Sequence, residues 1–208
     1  MSTDSTKAIE VLRIICDQVE NQKDHLCELD AALGDGDHGI SMAKSFHAVK
    51  VKLDDLQGKD LETILKTVGM TLISEVGGAM GPLFGTAFMR AGKAMSGKEG
   101  ITSADVAQML AAAEEGIIQR GHAQVGDKTL LDAIHPAVQA AQEAAMKGAS
   151  LTVSLQAAAS AARKGAEETR GMIAKIGRAS RLGERSVGHQ DPGATSVAII
   201  VETAAKTL

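Results

Sequence analysis

Asp30-Ala31-Ala32-Leu33-Gly34-Asp35-Gly36-Asp37-His38-Gly39 is the stretch that decides how this chain is read. Ahead of it, Ile9, Leu12, Cys16, Val19 and Leu26 recur at helical spacing. Behind it, Met42, Phe46, Val49 and Leu53 do the same. The apolar period is that of helices on both sides of the loop, and no alternating strand pattern stands near it. Gly34, Gly36 and Gly39 spell G-x-G-x-x-G, but a dinucleotide fingerprint needs a strand before it and a bare pyrophosphate beside it. Asp35 and Asp37 would repel that pyrophosphate. The loop is therefore a break between helices, and the chain is read as all-α.

The same period continues to the C-terminus. Leu61, Leu65, Val68 and Leu72 form a third stripe, ended by Gly77-Gly78. Gly81-Pro82 opens a fourth, with Pro82 tolerated in a first turn and Phe84, Phe88, Ala91 and Met95 on one face. Thr102 and Asp105 predict a capping box ahead of Val106, Leu110, Ala113 and Ile117, and Gly121 a stop. A sixth segment holds Leu130, Ile134, Val138, Ala141 and Ala145, with a kink or restart expected at Pro136. The seventh runs from about Leu151 to Met172 with Leu155, Ala158, Ala162 and Ala166 on one side, and the last starts at Ala194. That makes about eight helices in a single domain over residues 1–208. Gly92 and Gly97-Lys98 nearly spell a P-loop, but Glu99 replaces the Ser or Thr that holds magnesium, and the preceding segment is helical.

Composition sets the remaining limits. The chain has 208 residues, 44% of them hydrophobic, with no Trp, no Tyr and three Phe, so Ala, Leu, Ile, Val and Met must fill closely packed helices. A net charge of −4 argues against a general nucleic-acid binder. Cys16 and Cys27 form no metal-ligand pattern and read as small buried hydrophobes of a reducing compartment. No apolar run spans a bilayer, and Met1-Ser2-Thr3-Asp4 opens no signal peptide, so a soluble cytoplasmic protein is expected, with no membrane partner.

Chemistry gathers in the breaks. Asp30, Asp35 and Asp37 repel one another unless a cation joins them, and the glycines let the loop fold around one. Mg²⁺ suits such oxygen donors, while a solvated acidic turn is the plainer reading. Gly77-Gly78-Ala79-Met80-Gly81-Pro82 admits close backbone approach, or is simply a turn between helices. The break from Gly177 to Gly193 carries Arg178, Arg181 and Arg185, whose forked donors suit phosphate.

Together these segments resemble one family. Asp30…Gly34-Asp35-Gly36-Asp37-His38-Gly39, Gly77-Gly78-Ala79-x-Gly81-Pro82-Leu83-Phe84-Gly85-Thr86, Gly126-Asp127-Lys128-Thr129, and Gly177-Arg178-Ala179…Gly183-Glu184-Arg185-Ser186-x-Gly188-His189-Gln190-Asp191-Pro192-Gly193-Ala194 resemble the nucleotide-binding L module of dihydroxyacetone kinases. The resemblance covers essentially the whole chain in order. Gly-Asp-Gly-Asp-His-Gly points to the ketone branch, not to the related fatty-acid kinases.

The resemblance implies a barrel of eight antiparallel helices with the nucleotide at one end. It implies that Asp30, Asp35 and Asp37 hold two Mg²⁺ ions against the phosphates of ADP or ATP. His38, Gly39, Ile40 and Ser41 match a nucleotide-contacting turn, and Ala79 and Met80 the glycine-rich loop, where Ser is common in place of Met80. Gly121 and Leu130 match positions around the base, Arg178 a catalytic phosphate-facing arginine, and Asp191, Pro192 and Gly193 the closing loop. A K-type subunit would hold dihydroxyacetone covalently, and a phosphohistidine M-type subunit of a phosphoenolpyruvate-dependent system would recharge bound ADP. Two alternatives stay open: an L subunit of a two-chain ATP-dependent kinase for another short ketose, and an ADP-loaded regulatory partner, for instance of a transcriptional regulator.

Overall fold

The computed structural model describes residues 3–75 and 78–208. Gly77 of the expected Gly77-Gly78 stop and the initial Met1-Ser2 lie outside the described residues. The helices are α1 (Thr3–Asn21), α2 (Lys23–Ala31), α3 (His38–Lys52), α4 (Leu61–Glu75), α5 (Met80–Ala94), α6 (Ser103–Gly121), α7 (Leu131–Met146), α8 (Leu151–Glu168) and α9 (Pro192–Thr207). Shorter 3₁₀ turns cover Leu53–Leu56, Thr169–Gly171 and Arg178–Ser186.

The first apolar stripe was read as one helix, but the chain bends at Gln22 (φ −90°, ψ 5°) and divides it into α1 and α2. Hydrogen bonds from Gln22 N to Gln18 O (3.0 Å) and from Leu26 N to Gln22 O (2.9 Å) run on through the bend, so the stripe's period survives it. Pro136 does not restart α7, which runs unbroken through it. The carbonyl four residues back, Asp132 O, loses its usual partner there. Gly165 of α8 backs onto that oxygen so closely that a Cβ would stand 2.2 Å from it. The Thr102–Asp105 capping box is present as expected. α9 starts at Pro192, earlier than its apolar pattern shows, because Asp191 caps it and Pro suits a first turn.

α1 packs on α3, each later helix packs on the next through α9, and α9 returns to α1, closing a ring of eight helices. α2 leans on α3 and α9 beside that ring. Mostly short connections set sequential neighbours antiparallel. The stripe residues Leu12, Cys16, Val19, Phe46, Leu65, Val68, Phe84, Ile117, Val138, Leu155, Ala162 and Val201 join one buried core. Few large side chains are available to fill the axis, and an apolar cavity of about 200 Å³ remains between Ile15, Phe84, Phe88, Met109, Ile117 and Leu155. Glycine also permits a close crossing between α4 and α5, where a Cβ on Gly69 would stand 2.5 Å from Gly85 O.

Cys16 is buried, and burial together with Glu20 and Asp17 pushes its thiol up to about 12, an inert hydrophobe. Cys27 departs from expectation: it is only half-buried, against Gly39 at the edge of the acidic loop. No helix among the described residues is long and apolar enough to cross a membrane.

The α7–α8 contact yields a direct test. Gly165→Ala should destabilise the chain by about 1–3 kcal/mol in urea unfolding, because the added methyl meets backbone. Gly171→Ala, with nothing within 4 Å of its Cβ position, should shift stability far less. Equal effects would contradict this packing.

Candidate functional site

Asp30 lies in the last turn of α2 and reaches across to the start of α3. Its Oδ2 accepts from the N–H groups of Asp37 (3.0 Å) and His38 (3.2 Å), meeting donors that the helix itself leaves free. Gly34 packs directly beneath it, where a Cβ would stand 2.7 Å from Asp30 Oδ1 and would push the carboxylate aside. Gly36 turns the loop with φ +76°. The result is that Asp30, Asp35 and Asp37 each offer an oxygen, all within 4.8 Å of one another. Partial desolvation and the Asp35 charge push the Asp37 carboxyl above its ordinary value, with Arg178 opposing them. Arg178, far away in sequence, sets its guanidinium against Asp35 Oδ2 and 3.8 Å from Asp37 Oδ1. This cluster takes up positive charge, and its all-oxygen donor set fits Mg²⁺.

Three further helix starts meet beside it. His38 is buried and its ring turns away from the loop, with Nε2 2.8 Å from Ser196 Oγ on α9. Ser196 Oγ donates to Pro192 O (3.0 Å), so Oγ receives the Nε2 proton. Burial pulls the His38 pKa down, against Asp30 and a hydrogen bond to Pro192. The ring is thus a strut between α3 and α9, and His38 contributes the opening of α3. Gly39 presses on α2, where a Cβ would stand 2.0 Å from Lys23 O. Ile40 is exposed and Ser41 half-buried in the same first turn.

Ala79 precedes α5 and Met80 begins it. The Met80 methyl lies 3.3 Å from where a Cβ on Gly193 would be, and Leu130 Cβ 3.5 Å from the same point. Met80, Leu130 and Gly193 therefore converge, although Leu130 itself belongs to the core. Gly121 ends α6 under Leu83, whose Cδ2 would stand 3.0 Å from a Cβ there. Asp191 caps α9 through Ala194 N (2.7 Å), and Pro192 and Gly193 are buried in its first turn. Burial pushes the Asp191 carboxyl up to about 7; Asp132 adds to the rise, while the Ala194 and Gly193 N–H groups and the Lys128 charge oppose it. Asp30, Asp35, Asp37 and Arg178 thus stand together, His38 ties the start of α3 to α9, and Met80, Leu130 and Gly193 meet at the starts of α5, α7 and α9.

Sequence reasoning quoted Lys128 only as part of a motif and missed Asp132, Thr169 and Ser196 altogether. Asp132 folds the α6–α7 connector by accepting from Gly126 N (2.5 Å) and Thr129 N (2.7 Å). Thr169 Oγ1 accepts from Asp191 N (2.9 Å). Asp132 and Ser196 lie on helix faces whose neighbours sequence does not reveal. Lys128 carried one signal, a lysine locked inside a glycine-led polar connector.

Against known proteins, residues 32–206 match the DAK2 domain. The PEP-dependent dihydroxyacetone kinase, ADP-binding subunit DhaL, of Escherichia coli (strain K12) is 43% identical over 202 residues, covering 97% of this chain and 96% of that protein. The crystal structure of the dihydroxyacetone kinase of C. freundii in its native form superposes with a TM-score of 0.77 at 26% identity. The same kinase in complex with AMP-PNP and Mg²⁺ gives 0.75. Both cover 100% of this chain and 35% of that one, so this chain spans about a third of the C. freundii kinase.

Asp191 supplies a pH test. The folded carboxyl titrates near 7 against an ordinary 3.8, so between those values the folded chain holds a proton that the unfolded chain has released. Its contribution to stability is full below 3.8 and is lost as pH rises through about 7. Asp191→Asn keeps a capping oxygen and removes the titration. In urea unfolding across this range the variant should gain on the wild type as pH rises; parallel curves would rule this out.

Proposed function

We infer the function from one premise: the chain belongs to the DAK2-domain family. It is the ADP-binding subunit of a dihydroxyacetone kinase, a phosphotransferase component. Residues 1–208 are read as one nucleotide-binding domain of the L type working in the cytoplasm. The observation that carries this reading is the meeting of three carboxylates, Arg178 and the openings of α3, α5 and α9 at one end of the ring.

In this reading Asp30, Asp35 and Asp37 hold two Mg²⁺ ions, which screen charge on the nucleotide's phosphates when bound. His38 to Ser41, Ala79 and Met80 bring the first turns of α3 and α5 to the nucleotide. There, unpaired N–H groups and the positive helix end favour anions. Met80 offers a methyl where a serine would offer a hydroxyl, so this turn acts through its backbone. Gly121 and Leu130 border the base, and Asp191, Pro192 and Gly193 close over the nucleotide. Arg178 stands where a guanidinium offsets charge on the moving phosphoryl group.

The phosphoryl group travels in two transfers. A phosphohistidine subunit of the M type passes it to bound ADP, and the γ-phosphoryl then passes to dihydroxyacetone held covalently on a K-type subunit. The chain itself positions nucleotide and charge, which is most of what phosphoryl transfer asks of a protein. Exposed Ile40, Ile173, Ile176 and Val187 stand in the same segments as the site and support docking of such partners.

The first test is nucleotide binding. Asp35→Asn and Asp37→Asn should each abolish magnesium-dependent ADP binding in calorimetry while leaving the helical circular dichroism intact. Unaltered ADP binding in both variants with EDTA present would sink the metal assignment.

The second concerns Arg178. Interactions that strengthen as charge moves raise the rate, whereas uniform ones change only affinity. Arg178→Ala and Arg178→Lys should both keep ADP while transfer to a K-type partner slows roughly a hundredfold or more, since lysine lacks the planar fork. Rapid-quench transfer, with ADP content measured on the same samples, decides it. Normal transfer, or loss of ADP itself, would remove Arg178 from the transfer step.

A further inference from the structure

Lys128 is among the most buried side chains of the protein, 2% exposed, on a connector between helices. Its backbone is left-handed, φ 62°, a conformation that a lysine adopts only where the surroundings demand it. The ammonium donates to four carbonyls: Thr169 O (2.9 Å), Met172 O (3.2 Å), Ser186 O (2.6 Å) and His189 O (2.6 Å). Four acceptors around three N–H donors leave no place for the lone pair of a neutral amine, so the group is charged. Burial pulls its pKa down and the Asp191 charge opposes that.

The four carbonyls flank a single segment. Thr169 and Met172 stand before Arg178, Ser186 and His189 after it. Between them the chain is largely exposed, and polar ties hold it. Ser186 Oγ accepts from Ala174 N (2.9 Å) and donates to Gly183 O (2.6 Å). Gly188 N reaches Arg170 O (2.7 Å), and Lys175 N reaches Asp127 O (3.2 Å). Between the ends themselves, Thr169 Oγ1 accepts from Asp191 N (2.9 Å) and Arg170 Nε donates to Gln190 Oε1 (3.2 Å). Lys128 grips both ends of the segment from outside it. It acts as a cation tethered to the α6–α7 connector, with backbone carbonyls as its ligands.

We propose that Lys128 is a positioning residue for phosphoryl transfer: its ammonium gathers residues 169–189 so that Arg178 is held at the acidic loop. This rests on the reading of Arg178 as the transfer residue. The Lys128 ammonium is engaged with these carbonyls while Arg178 is the cation at Asp35 and Asp37, so Lys128 acts through the segment it ties. Without its ammonium, the carbonyls of Met172, Ser186 and His189 lose this donor, Thr169 O keeps Met172 N (3.1 Å), and the segment opens to find water. The helices behind it keep their apolar contacts. A guanidinium misplaced by an ångström costs rate far more than affinity.

Lys128→Met keeps the length and removes the donors. Hydrogen exchange on the ligand-free protein should then be roughly tenfold faster across 170–189, with α3 to α6 unchanged. ADP affinity should stay within about threefold, while transfer to a K-type partner falls roughly a hundredfold. In Lys128→Ala, which leaves room for a small cation, ammonium chloride should restore part of the rate, and sodium chloride at equal ionic strength should not. If Lys128→Met fails to fold, Lys128→Gln, which retains two N–H donors, carries the same measurements. Unchanged exchange across 170–189 overturns the proposal. So does loosening spread over all helices with binding and transfer falling together, which would make Lys128 a general stability residue. A loosened segment with normal transfer overturns it as well. Wild-type protein that takes up no ADP defeats the functional reading instead, and the exchange pattern then decides the anchoring by itself.

Discussion

Helices that open at the same end of a ring present their unpaired N–H groups and positive dipole ends together, and those donors must be met there. Much of this protein follows from how aspartate meets that demand. Asp30 serves the start of α3, Asp132 the connector into α7, and Asp191 the start of α9. Tight turns bring these backbone donors to the carboxylates, and Gly34 packs directly against that of Asp30. Donors and carboxylates packed into one end of the ring make a place where phosphates and their metal can be received without rearranging the helices.

The charges there balance across long sequence distance. Asp35 and Asp37 lie close enough to raise a carboxyl pKa, and the cation beside them comes from Arg178. Arg178 is delivered by a segment of 3₁₀ turns with little apolar anchorage. Holding such a segment is a polar problem, and buried Lys128, Ser186 and Thr169 solve it with hydrogen bonds to backbone. Removing a donor from such a network costs more than the bond itself, because its partners stay buried and unmet.

The wall of the ring answers a different constraint. Without Trp or Tyr, the helices approach closely through small residues, Gly69 with Gly85 and Gly165 with Asp132. At one end the starts of α5, α7 and α9 come together, and Met80, Leu130 and Gly193 meet there. An apolar volume is left along the axis that these side chains do not fill.

Helix content, the buried face of each helix and the breaks that carry chemistry were legible in the sequence, since periodicity and turn residues act locally. Leu61, Val68, Ala158 and Val201 are buried where their spacing placed them. The acidic loop and the arginine segment were equally plain as unusual local composition. Local pattern misled at two places: Gln22 divides one stripe into two helices, and Pro136 lies inside an unbroken α7, with Gly165 packed against the carbonyl it frees. Only the tertiary structure brought Arg178 to Asp35, turned the His38 ring inward onto Ser196, and drew four carbonyls around Lys128. Those contacts join residues from distant parts of the chain, and their partners are set by how the ring closes. Side-chain period records which face of a helix is buried; it carries no record of what lies against it.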